Sequence, residues 1–465
     1  MKTKRLLVAF LAALMAVGAY AGVQQVLHGD EVTGLGTLGA GGVVWGLYVV
    51  GDGFFASVGL ASLVLAAILR VWREPRLEAS AQIAVALGMA SLLASVLCVL
   101  ADLGRAWTAL INLSLVGRAR APFFATFTLV AGASSFGALV QWFLASRAGW
   151  AERAQVRGGR IWRFLARGPQ GTASAAHRRA KVNFWYSLVL LPLFLLGLVI
   201  LARVFCVRPG RPVALVHFEV VTFMLSAGAA ACSLVLLGSP QGARVTLARI
   251  LSPMVTLTAF LVVLGEILAL RSPGAAMRGF SRALLDGPWQ GWFWTDVVLF
   301  IVASALLLSV LGRGQVSKNR AAPVACLVCL AVFLQRYLLL VAWQTHGQAL
   351  SWPQGLYRPT AIEWAVVIGI AALAASASWV LASLGPSRGV AVGPSGLEGG
   401  RLRSWLASAC VFLGGVGVAA GLALSAGVAS GDFLDPITAG GPLVFLIGLL
   451  IALSAPAIYE LWPET

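Results

Sequence analysis

The chain is 465 residues long, 59% hydrophobic and only 11% charged, a balance that excludes a water-soluble globule and points to an integral membrane protein. Its net charge of +17 has the sign of a nucleic-acid binder. The basic residues, however, sit mostly in short connections between apolar runs, where they orient helices, so nucleic acid is excluded as a partner.

About twelve apolar runs reach the roughly 20 residues that a spanning helix needs. They fall near 6–26, 43–69, 82–102, 122–145, 183–203, 215–238, 247–270, 291–312, 321–345, 361–384, 404–428 and 440–460. The fold class read from them is an all-α membrane protein, a polytopic helical bundle. The first run has the basic start, apolar middle and small residues (Ala19, Ala21) of a cleaved signal, yet it continues to Val26, which favours a retained helix. With that helix retained, the Lys and Arg residues concentrate on one side, and both termini are expected in the cytoplasm.

The second run contains "VVWGLYVVGDGFFAS", with an aspartate amid residues otherwise suited to lipid. On a helix, Trp45, Tyr48 and Asp52 recur at spacings of three and four, so an indole, a phenol and a carboxyl share one face. Such a face suits a proton-handling or ring-binding pocket. The competing reading is a protonated Asp52 bonded to a neighbouring helix. Asp102 ends the third run in "ADLGRAW", where an ion pair with Arg105 is the simpler role.

The connection at 146–182 is strongly basic, with Trp150, Trp162 and Phe164 interleaved, which fits either a surface-lying amphipathic helix or a topology-setting loop near anionic lipid. Beyond it, His217, Glu219, Glu266 and Asp296 fall near the outer surface, as do His28, Asp30, Glu31, Asp102, His346 and Glu363. Asp52 and Arg336 lie deeper. An arginine inside "LQRYLLL" requires an anionic partner or a polar cavity. Glu363 follows Thr360 by three residues, the capping-box spacing, so it is read both as a helix cap and as a functional carboxylate.

The stretch "GPSRGVAVGPSGLEGG" at 385–400 reads as a flexible connection, followed by a final apolar pair whose outside turn carries Asp432 and Asp435. The six cysteines are scattered, and the one close pair, Cys326 and Cys329, lies inside a membrane run; they are read as packing residues. His177 sits in the basic loop, while His28, His217 and His346 sit at helix ends, a poor arrangement for haem. No metal site, haem or nucleotide is expected in this chain.

Three segments, "VTGLGTLGAGGVVWGLYVVGDGFFASVGLAS", "ADLGRAW" and "QRYLLLVAWQTHGQALSWPQGLYRPTAIEW", in this order, resemble the NrfD/HybB/PsrC (polysulfide reductase-type) family of membrane subunits. Ala106 and Thr360 depart from the proline and serine usual there. The resemblance implies a ten-helix quinone-interacting domain over 1–384, a connection at 385–403 and an additional helix pair at 404–465. It further implies a non-autonomous subunit in the inner (cytoplasmic) membrane that uses quinone or quinol as bound substrate. The partners implied are a ferredoxin-like iron–sulfur subunit and a further catalytic or cytochrome subunit.

On that basis the quinone ring is expected near Trp45, Tyr48, Asp52 and His28, with Asp52 and Asp102 as the catalytic carboxylates. A proton pathway is expected through Glu266, Asp296, Arg336, His346 and Glu363. A twelve-helix secondary transporter and a purely structural anchor are the alternatives. The transporter predicts activity without a redox partner; the anchor predicts that Asp52, Tyr48 and Arg336 tolerate replacement.

Overall fold

A computed structural model describes residues 2–35, 45–103, 122–157, 160–166, 173–207, 213–346 and 357–385. The described elements are helical throughout. In order they are α1 (Lys2–His28), α2 (Leu47–Val71), α3 (Glu78–Asp102), α4 (Pro122–Arg157), α5 (Arg160–Leu165), α6 (Ala173–Cys206) and α7 (Val213–Gly238). There follow α8 (Gln241–Leu270), α9 (Ala275–Leu285), α10 (Gln290–Gly312), α11 (Lys318–Tyr337), a π turn (Leu338–Ala342), α12 (Trp343–His346) and α13 (Ala361–Leu384). Among the described residues, 9 helices are long and apolar enough to cross a membrane. The run near 122–145 forms the long helix α4, and those at 404–428 and 440–460 lie outside the described residues.

Helix is the only element that satisfies its own backbone in lipid, and the sequence adds local support for the polar residues within the spans. Ser62, Thr222, Ser239, Thr258 and Ser376 each return their hydroxyl to the carbonyl four residues back, at 2.7–2.9 Å. These side chains therefore demand nothing of lipid.

The helices form two groups. In the first, α2 packs against α3 and α6, while α13 returns from the far end of the sequence to lie on α1 and α3. In the second, α7 packs on α8 and α11, and α10 on α8 and α11. Contact between α2 and α7 joins the groups around one continuous apolar core. Helix α2 is the axis of the fold: 83% of its most apolar window is buried, against 11% for α1. A smaller cluster around Met277, Phe280, Leu284 and Trp343 seats the short amphipathic helix α9.

Glycines set the closest approaches. A Cβ added at Gly18 would lie 2.7 Å from the Cα of Gly369, and the reverse holds, so α1 and α13 meet backbone to backbone. At the end of the bundle away from His28, Arg70 bonds Glu78 (3.3 Å) and Gln82 (2.8 Å), and Gln82 donates to Ser146 (2.9 Å). The carbonyls that end α13 are covered there by Trp150 and Arg153.

Of the basic 146–182 connection, α4 takes the first part as a direct continuation of its span, and α5 supplies a short turn with Ile161 and Phe164 exposed. The flexible connection expected at 385–400 lies outside the described residues except for Gly385.

Candidate functional site

Two buried polar sites occupy the two helix groups, and a polar junction closes the first of them.

The first site is built on the start of α2. The helix begins at Leu47, with Gly46 as its cap in an extended conformation (φ −97°), so Trp45 stands just outside it. This corrects the expectation of a single helical face bearing Trp45, Tyr48 and Asp52: only Tyr48 and Asp52 share the helix. The reason is a better partner elsewhere. Gln344 accepts from the Trp45 N–H (3.0 Å) and donates to the Trp45 carbonyl (3.0 Å), which holds this residue as a strand would.

Tyr48 and Asp52 are both buried. The Tyr48 hydroxyl donates to Gln25 Oε1 (2.6 Å), and Gln25 Nε2 donates to the Ala101 carbonyl (2.9 Å). Ser95 Oγ donates to Asp52 Oδ1 (2.5 Å). Glycines on either side of Asp52 let neighbours close in: a Cβ at Gly51 would lie 3.0 Å from Cys98 Sγ, and one at Gly53 would lie 3.3 Å from the Phe205 ring.

Asp102 lies seven residues beyond Ser95 on α3, hence on the same stripe, roughly 10 Å along the axis. His28 lies three residues beyond Gln25 on α1 but is exposed, with Nδ1 against the Gln24 carbonyl at 2.9 Å. The structure thus gathers Tyr48 and Asp52 with two residues that the sequence did not single out, Gln25 and Ser95. Trp45, 36% exposed, forms the rim. Arg105, the expected partner of Asp102, lies outside the described residues.

The second site is a cavity among α7, α8, α10 and α11, roofed by α9 through Phe280 and Leu284. It collects Glu219, Glu266, Asp296, Gln335 and Arg336 within apolar walls. Arg336 is 1% exposed, as the sequence demanded of an arginine in that run. Its Nη2 donates to the Phe223 carbonyl (2.9 Å) and Ser226 Oγ (3.0 Å), its Nη1 to Gln335 Oε1 (2.8 Å), and its guanidinium lies 3.5 Å from the centre of the Phe223 ring. Arg336 Nε and both oxygens of Asp296 have no hydrogen-bond partner among the described residues. Glu266 accepts from Ser281 of α9 (2.8 Å), which ties the roof to the wall.

The third feature is a junction around Glu363. Its Oε2 accepts from the Gly34 N–H (2.8 Å) and the Thr360 N–H (2.8 Å), and its Oε1 accepts from the Tyr357 hydroxyl (2.7 Å). Thr360 Oγ1 completes the capping box by accepting from the Glu363 N–H at 3.3 Å. The Tyr357 hydroxyl in turn accepts from the Leu47 N–H (2.6 Å), an orphan donor at the start of α2. Burial first, and then the Glu363 carboxylate, push the Tyr357 phenol above its ordinary range, so it stays a donor. Both Glu363 oxygens are thus engaged in holding α1, α2 and α13 together. The backbone of His346 ends α12, and its side chain lies outside the described residues.

Among the described residues, no group of three or more His, Cys, Asp or Glu stands close enough to hold a metal ion. What the arrangement offers is buried hydrogen-bonding and proton-exchanging groups beside aromatic rings. Gln25 and Ser95 were findable as polar residues on the same helical faces as His28 and Asp102. Gln344 and Tyr357 were not, because their partners lie 299 and 310 residues away.

Residues 38–347 match the family model described as polysulphide reductase, NrfD. The matched stretch includes Tyr48, Asp52 and Ser95 of the first site and the whole second cavity, but not Gln25, and it ends before Glu363. No curated protein matches the chain.

Proposed function

Because the chain belongs to the NrfD polysulphide reductase family, a family of multi-pass membrane subunits, we propose that it is the quinone- or quinol-reactive subunit of a respiratory oxidoreductase complex in the inner membrane. The observation that carries the reading is the first site. A buried carboxyl, Asp52, is held by Ser95 one turn from the buried Tyr48–Gln25 pair, with the Trp45 ring at the rim.

In this reading the ring enters between the early helices beside Trp45. The Tyr48–Gln25 pair and Asp52 supply a donor and a proton-exchanging group for its two oxygens. Interconversion of quinol and quinone moves two electrons and two protons. The electrons exchange with a cluster in a docked ferredoxin-like iron–sulfur subunit, beside a further catalytic or cytochrome subunit. The protons pass by Asp52 to Ser95 and Asp102, with His28 at the outer end of α1, both termini then being cytoplasmic. Glu266, Asp296 and Arg336 of the other helix group, together with His346 and Glu363, form a second proton route.

The test is quinone turnover by the intact complex carrying Asp52→Asn, which keeps the shape of the side chain and removes its titration. A fall of about 100-fold or more is expected for a group that transfers the proton. Unchanged turnover removes Asp52 from the mechanism. Mass spectrometry of the chain taken from its native membrane in mild detergent tests the partners: recovery alone, with solute uptake in vesicles, would replace this reading with a transporter.

A further inference from the structure

From Lys318 to His346 one rod runs through α11, the π turn and α12. A π turn bonds residue i to i+5 and so absorbs one residue more than an α turn. On an unbroken α-helix, Gln344, eight residues after Arg336, would stand about 80° round from it. With the extra residue absorbed, it returns to within about 20°. The π turn therefore aligns Arg336 and Gln344 on one stripe.

The contacts of the two residues agree with that alignment. Arg336 binds the Phe223 carbonyl and covers its ring; Phe223 stacks on Phe205 at 6.1 Å; Phe205 meets the Trp45 ring edge-on at 6.4 Å. Gln344 holds the backbone of the same Trp45. Side chains also bond carbonyls within the π turn: Gln344 Nε2 donates to the Leu340 carbonyl (2.9 Å) and Thr345 Oγ1 to that of Val341 (3.0 Å). Leu338 and Leu339, at the start of the turn, also line the Asp296 cavity. One irregular turn thus touches both buried polar sites.

We propose that the π turn is a joint, and Gln344 a positioning residue, that carries a change at the Asp296–Arg336 cavity to Trp45 at the start of the Asp52 helix. A change of charge at Asp296 alters the pull on Arg336, whose Nε and whose facing carboxylate have no hydrogen-bond partner among the described residues. Relaxation of the π turn to α rotates the segment beyond it by about 100°. Gln344 then releases the Trp45 backbone, and the rim of the first site moves. This gives the two-state element that coupling between separate sites requires.

The inference builds on the proposed function, but its test needs no quinone, so the two fail separately. The full-length chain, in its native complex and carrying 5-fluorotryptophan, is followed by fluorine NMR, with the Trp45 resonance assigned by Trp45→Phe. Asp296→Asn is expected to shift that resonance in the otherwise unaltered chain and to leave it unmoved in a Gln344→Ala background. A resonance indifferent to Asp296→Asn overturns the proposal. So does an equal shift in both backgrounds, because the Phe223–Phe205 stack then carries the signal without the joint. Should Asp296→Asn not fold, Arg336→Lys replaces it with the same two outcomes.

Discussion

Replacing Tyr357 by phenylalanine removes a single oxygen that serves two buried groups. The Leu47 N–H, fully buried, donates to it at 2.6 Å, and it donates to Glu363 Oε1 at 2.7 Å. The ring and its packing remain. An orphaned buried donor costs about 1–3 kcal/mol, and a lost bond to a charged group about 1.5–3 kcal/mol. Because Glu363 keeps its donors from Gly34 and Thr360, the sum falls at about 3–4 kcal/mol. The assay is the apparent unfolding free energy in mixed micelles, compared with the unaltered chain across pH. The phenol is raised above its ordinary value, so its contribution is fully present below the unfolded pKa of about 10 and is lost as pH rises toward the folded value. The difference between the two proteins is therefore flat up to about pH 10 and shrinks above it. A loss below about 1 kcal/mol, or a difference that already shrinks between about pH 7 and 9, refutes the two-bond account.

Gly369→Ala is expected to destabilise the chain by about 1–3 kcal/mol and to expose α1 to protease, since the new methyl meets Gly18 backbone at 2.7 Å. Gly22→Ala, one turn further along α1 with nothing within 4 Å of the added carbon, is the control and is expected to be silent. Arg153→Ala removes the guanidinium that caps the carbonyls of Ser383, Leu384 and Gly385. Hydrogen exchange in the last turn of α13 is expected to accelerate by about tenfold or more, corresponding to about 1.4 kcal/mol or more, while α2 stays protected.

The helices were legible because lipid imposes one rule on every segment: a spanning run must be long, apolar and helical. Asp52 and Arg336 announced themselves by violating that rule, and both are buried among polar partners. The capping box at Thr360 and Glu363 was equally legible, because its signal is local. Three other features were not. Trp45 reads as helical by spacing, and only the bonds from Gln344, 299 residues away, show why the helix starts later. The π turn leaves Arg336 and Gln344 eight apart, a separation that pattern reading assigns to different faces. The helix α9 is too short to stand out from its loop, yet it roofs the second cavity and ties itself to Glu266.

The bond from Leu47 to Tyr357 also constrains how the protein is made. The first turn of α2 finds its hydroxyl acceptor 310 residues later in the chain. During synthesis, α2 is therefore delivered to the bilayer long before Tyr357 leaves the ribosome. Until then the emerging protein carries an unfinished end on its most central helix, as it does at Gly34, which waits for Glu363. Insertion machinery or lipid headgroups must shelter those amides for the interval. A chain truncated before Tyr357 should then be a preferred target of membrane quality control, whatever the soundness of the spans already in place.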